Sequence, residues 1–196
     1  MPDHGSDSGV RTADSAGPRV AVWMPVTVVL DRLRSAFNVG NVFRLAEATR
    51  VECVVTCGYT ATPPHAKLAR TARGCDAVVP FRHVADAVTA LRELRAVGYT
   101  LYGVETAARA RPAWETEFAF PAAVVLGNEA LGVSAEALAV CDHLVDLPCL
   151  GAKNSINVGN CAAVVLYAAF RQWLGQCPQL QQRLRAADHA LPPDRA

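Results

Sequence analysis

Three short segments of the chain combine amide, charged and hydroxyl side chains with glycines. They are Asn38–Arg44 (NVGNVFR), Gly127–Ser134 (GNEALGVS) and Leu147–Asn160 (LPCLGAKNSINVGN). Side chains of these types bind polar ligands and stabilise charge that develops during a reaction. We therefore expect the chemistry of this protein to lie in these segments.

The first segment also has ordinary structural explanations. Asn38 falls at a helix N-cap position, where an asparagine side chain stabilises the first turn. Arg44 lies three residues before Glu47, at the spacing of an ion pair within a helix. Because short patterns recur by chance, this segment indicates function only together with others.

The second segment resembles a phosphate-binding loop, since Gly127 and Gly132 are separated by four residues. The loop's lysine is missing, because Val133 stands in its place, so nucleoside triphosphate binding is not expected. What remains is a strand end with two glycines and the carboxylate of Glu129. A glycine directly after a buried strand lets the backbone touch a ligand.

The third segment joins an apolar strand to an apolar helix. Asn154 or Ser155 can cap that helix, which would place Asn157 one turn inside it. A buried amide without partners costs about 1–3 kcal/mol, so Asn157 should bond to a loop carbonyl, a ligand or another subunit. A weaker fourth candidate is Gly103–Thr106, where an acid and a hydroxyl follow a strand.

Alternating strand and helix signals must position these segments. The predicted strands are Val26–Leu30, Val51–Cys57, Ala77–Val79, Tyr99–Val104, Ala122–Leu126 and Leu144–Leu147. The predicted helices are Val39–Thr49, His65–Ala72, His83–Val97, one capped by Ser134 that runs to Val140, Ile156–Trp173 and Gln179–Ala187. Near-continuous apolar strands of this kind predict an α/β fold, a parallel sheet with helices on both faces. Ligands of such sheets gather at the carboxyl ends of the strands.

Composition predicts one ordinary globular domain. With 52% hydrophobic and 19% charged residues, a 196-residue chain can build a sizeable core. We expect a disordered arm at 1–19, a domain at 20–175 and a polar tail at 176–196. No targeting segment or extra RNA-recognition domain is expected, and the longest apolar run, Ala162–Phe170, is too short to span a bilayer.

The distribution of charged residues, cysteines and histidines limits which ligands and partners we expect. Between Arg32 and Arg73 there are seven basic and two acidic residues, a local net charge of 7 − 2 = +5, which suits either a solvated face or a phosphate-binding one. The seven cysteines form no Cys-x-x-Cys pair and the five histidines are scattered. We therefore expect no metal site and a reducing, cytoplasmic location.

In their order and spacing, the three segments resemble the SpoU (TrmH-like) branch of the SPOUT RNA methyltransferases. The family pattern Asn-x-Gly-x-x-x-Arg corresponds to Asn38, Gly40 and Arg44, and its Gly-Asn-Glu-x-x-Gly pattern begins at Gly127. The third pattern corresponds to Pro148, Gly151, Ser155, Ile156, Asn157 and Val158. The chain departs from the family at Cys149 and at Gly159-Asn160, which we expect to alter packing only. The similarity covers about Val26 to Trp173.

The resemblance implies properties that composition does not. It implies a C-terminal deep trefoil knot, a rare exception to the rule against threaded chains. It also implies S-adenosylmethionine as cofactor, a homodimer whose sites use both chains, and methylation of a ribose 2′-hydroxyl in tRNA or rRNA. The implied cofactor contacts are Val104, Glu105, Thr106, Gly127, Leu147, Ser155 and Ile156. The implied catalytic residues are Arg44, Asn38, Glu129, Ser155 and Asn157.

Two other functions remain open. The chain could be a catalytically idle RNA-binding module with the same fold, although the intact Arg44, Glu129 and Asn157 disfavour this alternative. It could also be a nucleotide-dependent α/β enzyme, although no complete phosphate-binding motif is present. Incorporation of labelled methyl groups separates the first alternative from the enzyme, and calorimetry with ATP and NAD tests the second.

Overall fold

The computed structural model describes residues 22–182, which form a single seven-stranded parallel sheet with flanking helices. The strands are β1 (Met24–Asp31), β2 (Val51–Cys57), β3 (Phe81–Val84), β4 (Thr100–Val104), β5 (Arg111–Pro112), β6 (Ala122–Gly127) and β7 (His143–Asp146). The helices are α1 (Ala36–Thr49), α2 (Ala66–Ala72), α3 (Ala87–Ala96), α4 (Ala135–Ala139) and α5 (Val158–Gly175). The strand order is β3-β2-β1-β6-β4-β7-β5, with every pairing parallel.

Helices cover both faces of the sheet, as predicted. Successive residues of β6 point to opposite faces, so Val124 and Leu126 join one core and Val125 joins the other. The first core includes buried residues of α1, α2 and α5, and the second those of α3 and α4. Because β1 and β6 are buried on both faces, their sequences are almost wholly apolar. The α/β fold class is confirmed, while the knot stays a prediction of the family resemblance.

Two parts of the predicted element order were wrong. The segment Ala77–Val79 is not a strand, because Cys75–Ala77 forms a short 3-10 helix. The strand of this region is β3, which begins at Phe81, four residues after Ala77. The helix predicted from His83 begins only at Ala87. Asp86 sets that boundary, since its carboxylate accepts a hydrogen bond from Thr89 N at 2.8 Å. The short edge strand β5 was not predicted.

Two helix starts also differ from the sequence prediction. Ser35, not Asn38, caps α1 and accepts a hydrogen bond from Asn38 N. Asn157, not Asn154 or Ser155, caps α5: its Oδ1 accepts from Gly159 N at 2.9 Å and Asn160 N at 3.4 Å. Asn157 therefore lies at the helix boundary, not one turn inside. The start of α4 agrees with the prediction, since Ser134 occupies its N-cap position, although the Ser134 side chain forms no capping hydrogen bond.

The ends of the chain extend beyond the described range. The arm predicted at 1–19 and most of the tail at 183–196 lie outside it, and the predicted helix Gln179–Ala187 is described only up to residue 182, with helical backbone at 178–182. Across residues 22–182, no helix combines the length and apolarity needed to cross a bilayer. Over the same range, no group of three or more His, Cys, Asp or Glu side chains could hold a metal ion.

Candidate active site

A cavity of about 790 Å³ opens where the carboxyl ends of β4, β6 and β7 meet the segment before α5. The three sequence segments and the β4 end all contribute to it or contact its lining. Residues from the β4 and β6 ends line one part: Val104, Glu105, Thr106, Leu126, Gly127, Asn128, Glu129, Ala130, Leu131, Gly132 and Val133. The β7 end and the start of α5 provide Asp146, Leu147, Asn154, Ser155, Ile156, Asn157, Val158 and Cys161. Parallel strands bring their carboxyl ends to one edge, which explains the convergence.

Glu129 organises the mouth of this cavity. Its Oε2 accepts a hydrogen bond from Arg34 N at 2.8 Å, and its Oε1 accepts from Ser35 N at 3.0 Å and from Asn38 Nδ2 at 2.8 Å. Desolvation raises the pKa of Glu129, but the hydrogen bonds from Arg34, Asn38 and Ser35 outweigh it and hold the pKa below its ordinary value. The group is therefore ionised at neutral pH and acts as an acceptor.

Asn38 connects Glu129 to the third segment. While its Nδ2 donates to Glu129, its Oδ1 accepts from Asn157 Nδ2 at 3.2 Å. Asn157 in turn uses its own Oδ1 to cap α5. Residues separated by 91 and 119 positions thus form one hydrogen-bonded chain, Glu129–Asn38–Asn157. We expected the amide of Asn157 to be buried, but it is exposed, and it bonds to another segment of the same site.

Another part of the cavity lining combines apolar side chains with the hydrogen-bonded carboxylate of Glu105. Val104 and Leu126 are buried, and Leu147 and Ile156 lie across from the β4 and β6 ends. Glu105 accepts from Val133 N at 3.0 Å through Oε2 and from Thr106 N at 2.9 Å through Oε1. Thr106 Oγ1 donates to Asn154 O at 3.2 Å, which ties the β4 end to the segment before α5.

Two glycines make the close packing at the β6 end possible. A Cβ atom at Gly127 would lie 2.1 Å from the backbone of Gly132 and Val133, closer than real Cβ contacts occur. Gly132 has a φ of 70°, and a Cβ there would lie 2.1 Å from Glu105 Oε2. Only glycine combines that conformation with that space. The loop Asn128–Gly132 therefore folds directly over the strand end and shapes the cavity.

Several residues that organise the site had no catalytic or cofactor-binding role in the sequence prediction. Asn128 Oδ1 accepts from Ala130 N and Leu131 N, while its Nδ2 donates to Arg32 O at 2.7 Å and Tyr59 Oη at 2.8 Å. Buried Asp31 accepts from Ser134 N at 2.9 Å and Ser134 Oγ at 2.7 Å. An asparagine two residues before a loop amide is a turn signal that the sequence does show. The pairing of Asp31 with Ser134 spans 103 positions and has no local signal.

Asp146 and Cys161 also line the cavity and were not predicted. Oδ1 of Asp146 is buried and accepts no hydrogen bond from the described residues. Burial, with smaller contributions from the nearby Glu105 and Cys149, raises the pKa of the Cys161 thiol to about 11. The Cys161 thiol is therefore neutral at physiological pH and behaves as a small apolar group.

Arg44 is the predicted site residue that the fold does not bring to the cavity. It lies exposed on α1, does not line the cavity and forms no ion pair with Glu47 within residues 22–182. Asn41, one turn earlier, approaches α5, since a Cβ at Gly159 would lie 3.3 Å from Asn41 Nδ2. The remaining predicted residues either line the cavity or, like Asn38, bond directly to a residue that does.

Known proteins share this sequence and arrangement. Residues 25–167 match the model of the SpoU rRNA Methylase family. The chain is 34% identical over 149 residues to a tRNA (guanosine(18)-2'-O)-methyltransferase of Thermus thermophilus, covering 76% of this chain and 76% of that protein. It is 30% identical over 148 residues to the 23S rRNA (guanosine-2'-O-)-methyltransferase RlmB of Ralstonia nicotianae, covering 76% of this chain and 59% of RlmB.

Solved structures agree with the sequence matches. The SpoU methyltransferase AviRb from Streptomyces viridochromogenes, solved in complex with AdoMet, superposes with a TM-score of 0.68 at 27% identity, over 76% of this chain and 60% of AviRb. The chain thus spans little more than half the length of several proteins that it matches. The family model nevertheless covers nearly all of the described sheet and most of α5. The chain therefore belongs to the SpoU rRNA methylase family.

Proposed function

We propose that this protein transfers a methyl group from S-adenosylmethionine to a ribose 2′-hydroxyl in tRNA or rRNA. The observation that carries the proposal is the hydrogen-bonded chain Glu129–Asn38–Asn157 at the mouth of the cavity. It joins three segments that are distant in sequence into one preorganised polar group. The activities of the Thermus thermophilus and Ralstonia nicotianae relatives support the same reaction.

The cavity suits S-adenosylmethionine. Val104, Leu147 and Ile156 offer apolar surface for a purine ring, and the cavity volume of about 790 Å³ is large enough for a ligand of this size. The contact between Gly127 and Gly132 holds the loop against the β6 end and so shapes this part of the cavity. We propose that the residues holding the cofactor are Val104, Glu105, Thr106, Gly127, Leu147, Ser155 and Ile156. When bound, the cofactor supplies a methyl group already activated on a sulfonium.

The protein's own residues then have to align the ribose oxygen and stabilise its developing charge. Alignment of reacting atoms contributes several kcal/mol to catalysis. Both oxygens of Glu129 are engaged by N–H donors, so we assign Glu129 the role of positioning Asn38 rather than of taking a proton. The guanidinium of Arg44 can donate a fork of hydrogen bonds to a phosphate and to the oxyanion. We place Ser155, exposed at the cavity, beside the reacting groups.

A homodimer would bring Arg44 to a cavity. The solvent-facing side of α5 carries Val164 and Tyr167, which are 42% and 49% exposed, and Ile156 just before it is 47% exposed. Asn41 and Arg44 occupy the adjoining exposed side of α1. An apolar surface beside a free arginine suits a second copy of the chain. We propose that α1 and α5 form this interface and that Arg44 serves the partner's cavity.

The basic residues of α2 provide a phosphate-binding surface next to the site. Lys67, Arg70 and Arg73 are exposed, and none of them has an acidic partner within residues 22–182. Thr71 Oγ1 donates to Phe37 O at 3.0 Å, so α2 lies against the end of α1 that carries Asn38. We propose that this surface holds RNA backbone, so RNA affinity falls as salt rises.

Methyl incorporation from labelled S-adenosylmethionine into transfer RNA and ribosomal RNA tests the proposal. We expect label at a ribose 2′-oxygen, located by resistance of the adjacent phosphodiester to alkaline hydrolysis. RNA binding without incorporation in either class of RNA would identify the idle module instead. Free thiols are found at Cys53, Cys57, Cys141, Cys149, Cys161 and Cys177, which fits our proposal that the reaction takes place in the cytoplasm.

Arg44→Lys tests the role given to the guanidinium. Lysine keeps the positive charge but loses the planar fork. We expect the single-turnover rate to fall by about tenfold or more, while affinity for S-adenosylhomocysteine stays unchanged because we assign the Arg44 fork to the RNA phosphate and the oxyanion and not to the cofactor. A wild-type rate for Arg44→Lys would show that charge alone suffices.

A further inference from the structure

Asp146 is the last residue of β7 and lines the cavity directly before Leu147. Within the part of the chain that the structure describes, its Oδ1 is the one buried side-chain nitrogen or oxygen without a hydrogen-bond partner. In folded proteins nearly all buried polar atoms form hydrogen bonds, so an unpaired one in a residue that lines a cavity requires an explanation. A donor from outside the chain is one such reason.

Three backbone amides of the neighbouring segments are already engaged. Ala113 N donates to the main-chain oxygen of Asp146 at 3.0 Å. The amides of Thr106 and Val133, which also line the cavity, both donate to Glu105. The residues that line the cavity therefore include a buried carboxylate oxygen that none of these amides pairs with.

The ligand that matches Asp146 must carry an N–H or O–H group. A carboxylate only accepts hydrogen bonds, and an unprotonated ring nitrogen or a carbonyl would leave Oδ1 unpaired. Leu147 and Ile156, which line the same cavity, offer apolar surface for a purine. The adenosine part of the cofactor combines such a ring with donors, namely its 6-amino group and its ribose hydroxyls.

We infer that Asp146 is a specificity-determining residue that accepts a hydrogen bond from an N–H or O–H group of the cofactor's adenosine part. The inference rests on the proposed function. It adds a residue outside the three sequence segments, and it predicts that adenosine is selected by a donor and not by ring shape alone. A site built to pair with a ligand donor rejects analogues that lack it.

Calorimetric binding of S-adenosylhomocysteine tests the assignment. We expect Asp146→Ala to bind about tenfold or more weakly than the wild type, since hydrogen bonds to charged groups are among the stronger ones. Asp146→Asn should lose less, because its carbonyl oxygen still accepts. Glu115→Gln, which neutralises an exposed carboxylate that does not line the cavity, is the matched control and should bind like the wild type.

Thermal unfolding without ligand separates binding from folding. Because Asp146→Ala removes an unpaired buried oxygen, the unliganded variant should unfold at or above the wild-type temperature. Its stabilisation by S-adenosylhomocysteine should be smaller than that of the wild type. Lower unliganded stability in both Asp146→Ala and Asp146→Asn would instead give Asp146 a structural role and overturn the inference.

Ligand analogues identify the donor. S-inosylhomocysteine lacks the 6-amino group, and the 2′-deoxy and 3′-deoxy forms of S-adenosylhomocysteine each lack one hydroxyl. The analogue without the relevant donor should bind wild type and Asp146→Ala equally. If Asp146→Ala binds S-adenosylhomocysteine as tightly as the wild type, water satisfies Oδ1 and the inference is wrong. If the wild type itself does not bind, the proposed function fails instead.

Discussion

At the residue scale, the site depends on a few side chains whose hydrogen bonds are nearly all committed. Glu129 accepts three, Asn38 both donates and accepts, and Asn157 bonds to Asn38 while capping α5. A network of this kind keeps its geometry because each member restricts the next. The same residues therefore support both local stability and the geometry of the site.

Replacing Glu129 by glutamine should change how stability depends on pH. The folded-state pKa of Glu129 is lower than the ordinary value, so its ionisation stabilises the fold above the unfolded pKa. That contribution is lost as the pH falls through the folded pKa. We expect Glu129→Gln to be less stable than the wild type at pH 7 and the difference to narrow below about pH 4. Thermal unfolding measured from pH 7 to pH 3 checks this, and an unchanged difference would contradict it.

Two substitutions at Asn157 should separate its two roles. Asn157→Ala loses the cap of α5 and should cost about 1 kcal/mol of unfolding free energy. Asn157→Ser keeps a capping oxygen but loses the donor to Asn38, so its stability should stay near wild type while methyl transfer falls in both variants. Urea denaturation and single-turnover rates provide the two readouts. Full activity in Asn157→Ser would show that the Asn38 contact is dispensable.

At the element scale, the cavity exists because short connections follow the carboxyl ends of neighbouring strands. The loop Asn128–Gly132 turns back at once over β6, with Asn128 N and Gly132 N each donating to the other residue's carbonyl. This turn brings Val133 N to Glu105 at the end of β4. Because β4 and β6 are paired, their register sets the distance between the cavity-lining residues at the two strand ends.

Gly127→Ala should disturb this connection. The new Cβ would lie 2.1 Å from the backbone of Gly132 and Val133, so the loop must move away from the strand. Overpacking of this kind costs about 1–3 kcal/mol, and cofactor affinity should fall with it. Gly151→Ala is the matched control, because a Cβ there meets nothing within 4 Å. Chemical denaturation and calorimetry check both variants. Equal behaviour of the two would contradict the packing argument.

At the scale of the whole molecule, the proposed catalytic residues do not all meet within one chain. The cavity contains Glu129 and Asn157, while Arg44 lies on an exposed face beside the apolar side of α5. Under our proposal, the symmetric pairing of α1 and α5 would bring Arg44 of one copy to the cavity of the other. The assembly would then be part of catalysis, and the exposed Val164 and Tyr167 would pack between the two copies.

Mixing two inactive variants tests this assembly. Arg44→Ala retains its own cavity, and Glu129→Ala retains Arg44, so a mixed dimer should regain one complete site. We expect methyl transfer in the mixture that neither variant shows alone. Val164→Glu, introduced into both chains, places charge on the exposed face of α5 and should abolish both the dimer and the recovery. Light scattering reports the oligomeric state. A mixture without activity despite dimer formation would place Arg44 in its own chain's site.

The sequence by itself determined the parallel α/β class and the segments that meet at the cavity, because apolar periodicity and strand-end residues are local signals. It misplaced the starts of α1, α3 and α5, where the capping side chains are those of Ser35, Asp86 and Asn157. Only the tertiary structure decided the bonds of Asn38 to Glu129 and of Ser134 to Asp31, which join positions about a hundred residues apart. Only the tertiary structure showed that Arg44 does not line the cavity and that Asp146 Oδ1 has no hydrogen-bond partner among the described residues. The physical reason is that hydrogen-bond satisfaction and burial depend on the neighbours that strand order supplies, and residue spacing along the chain does not contain that order.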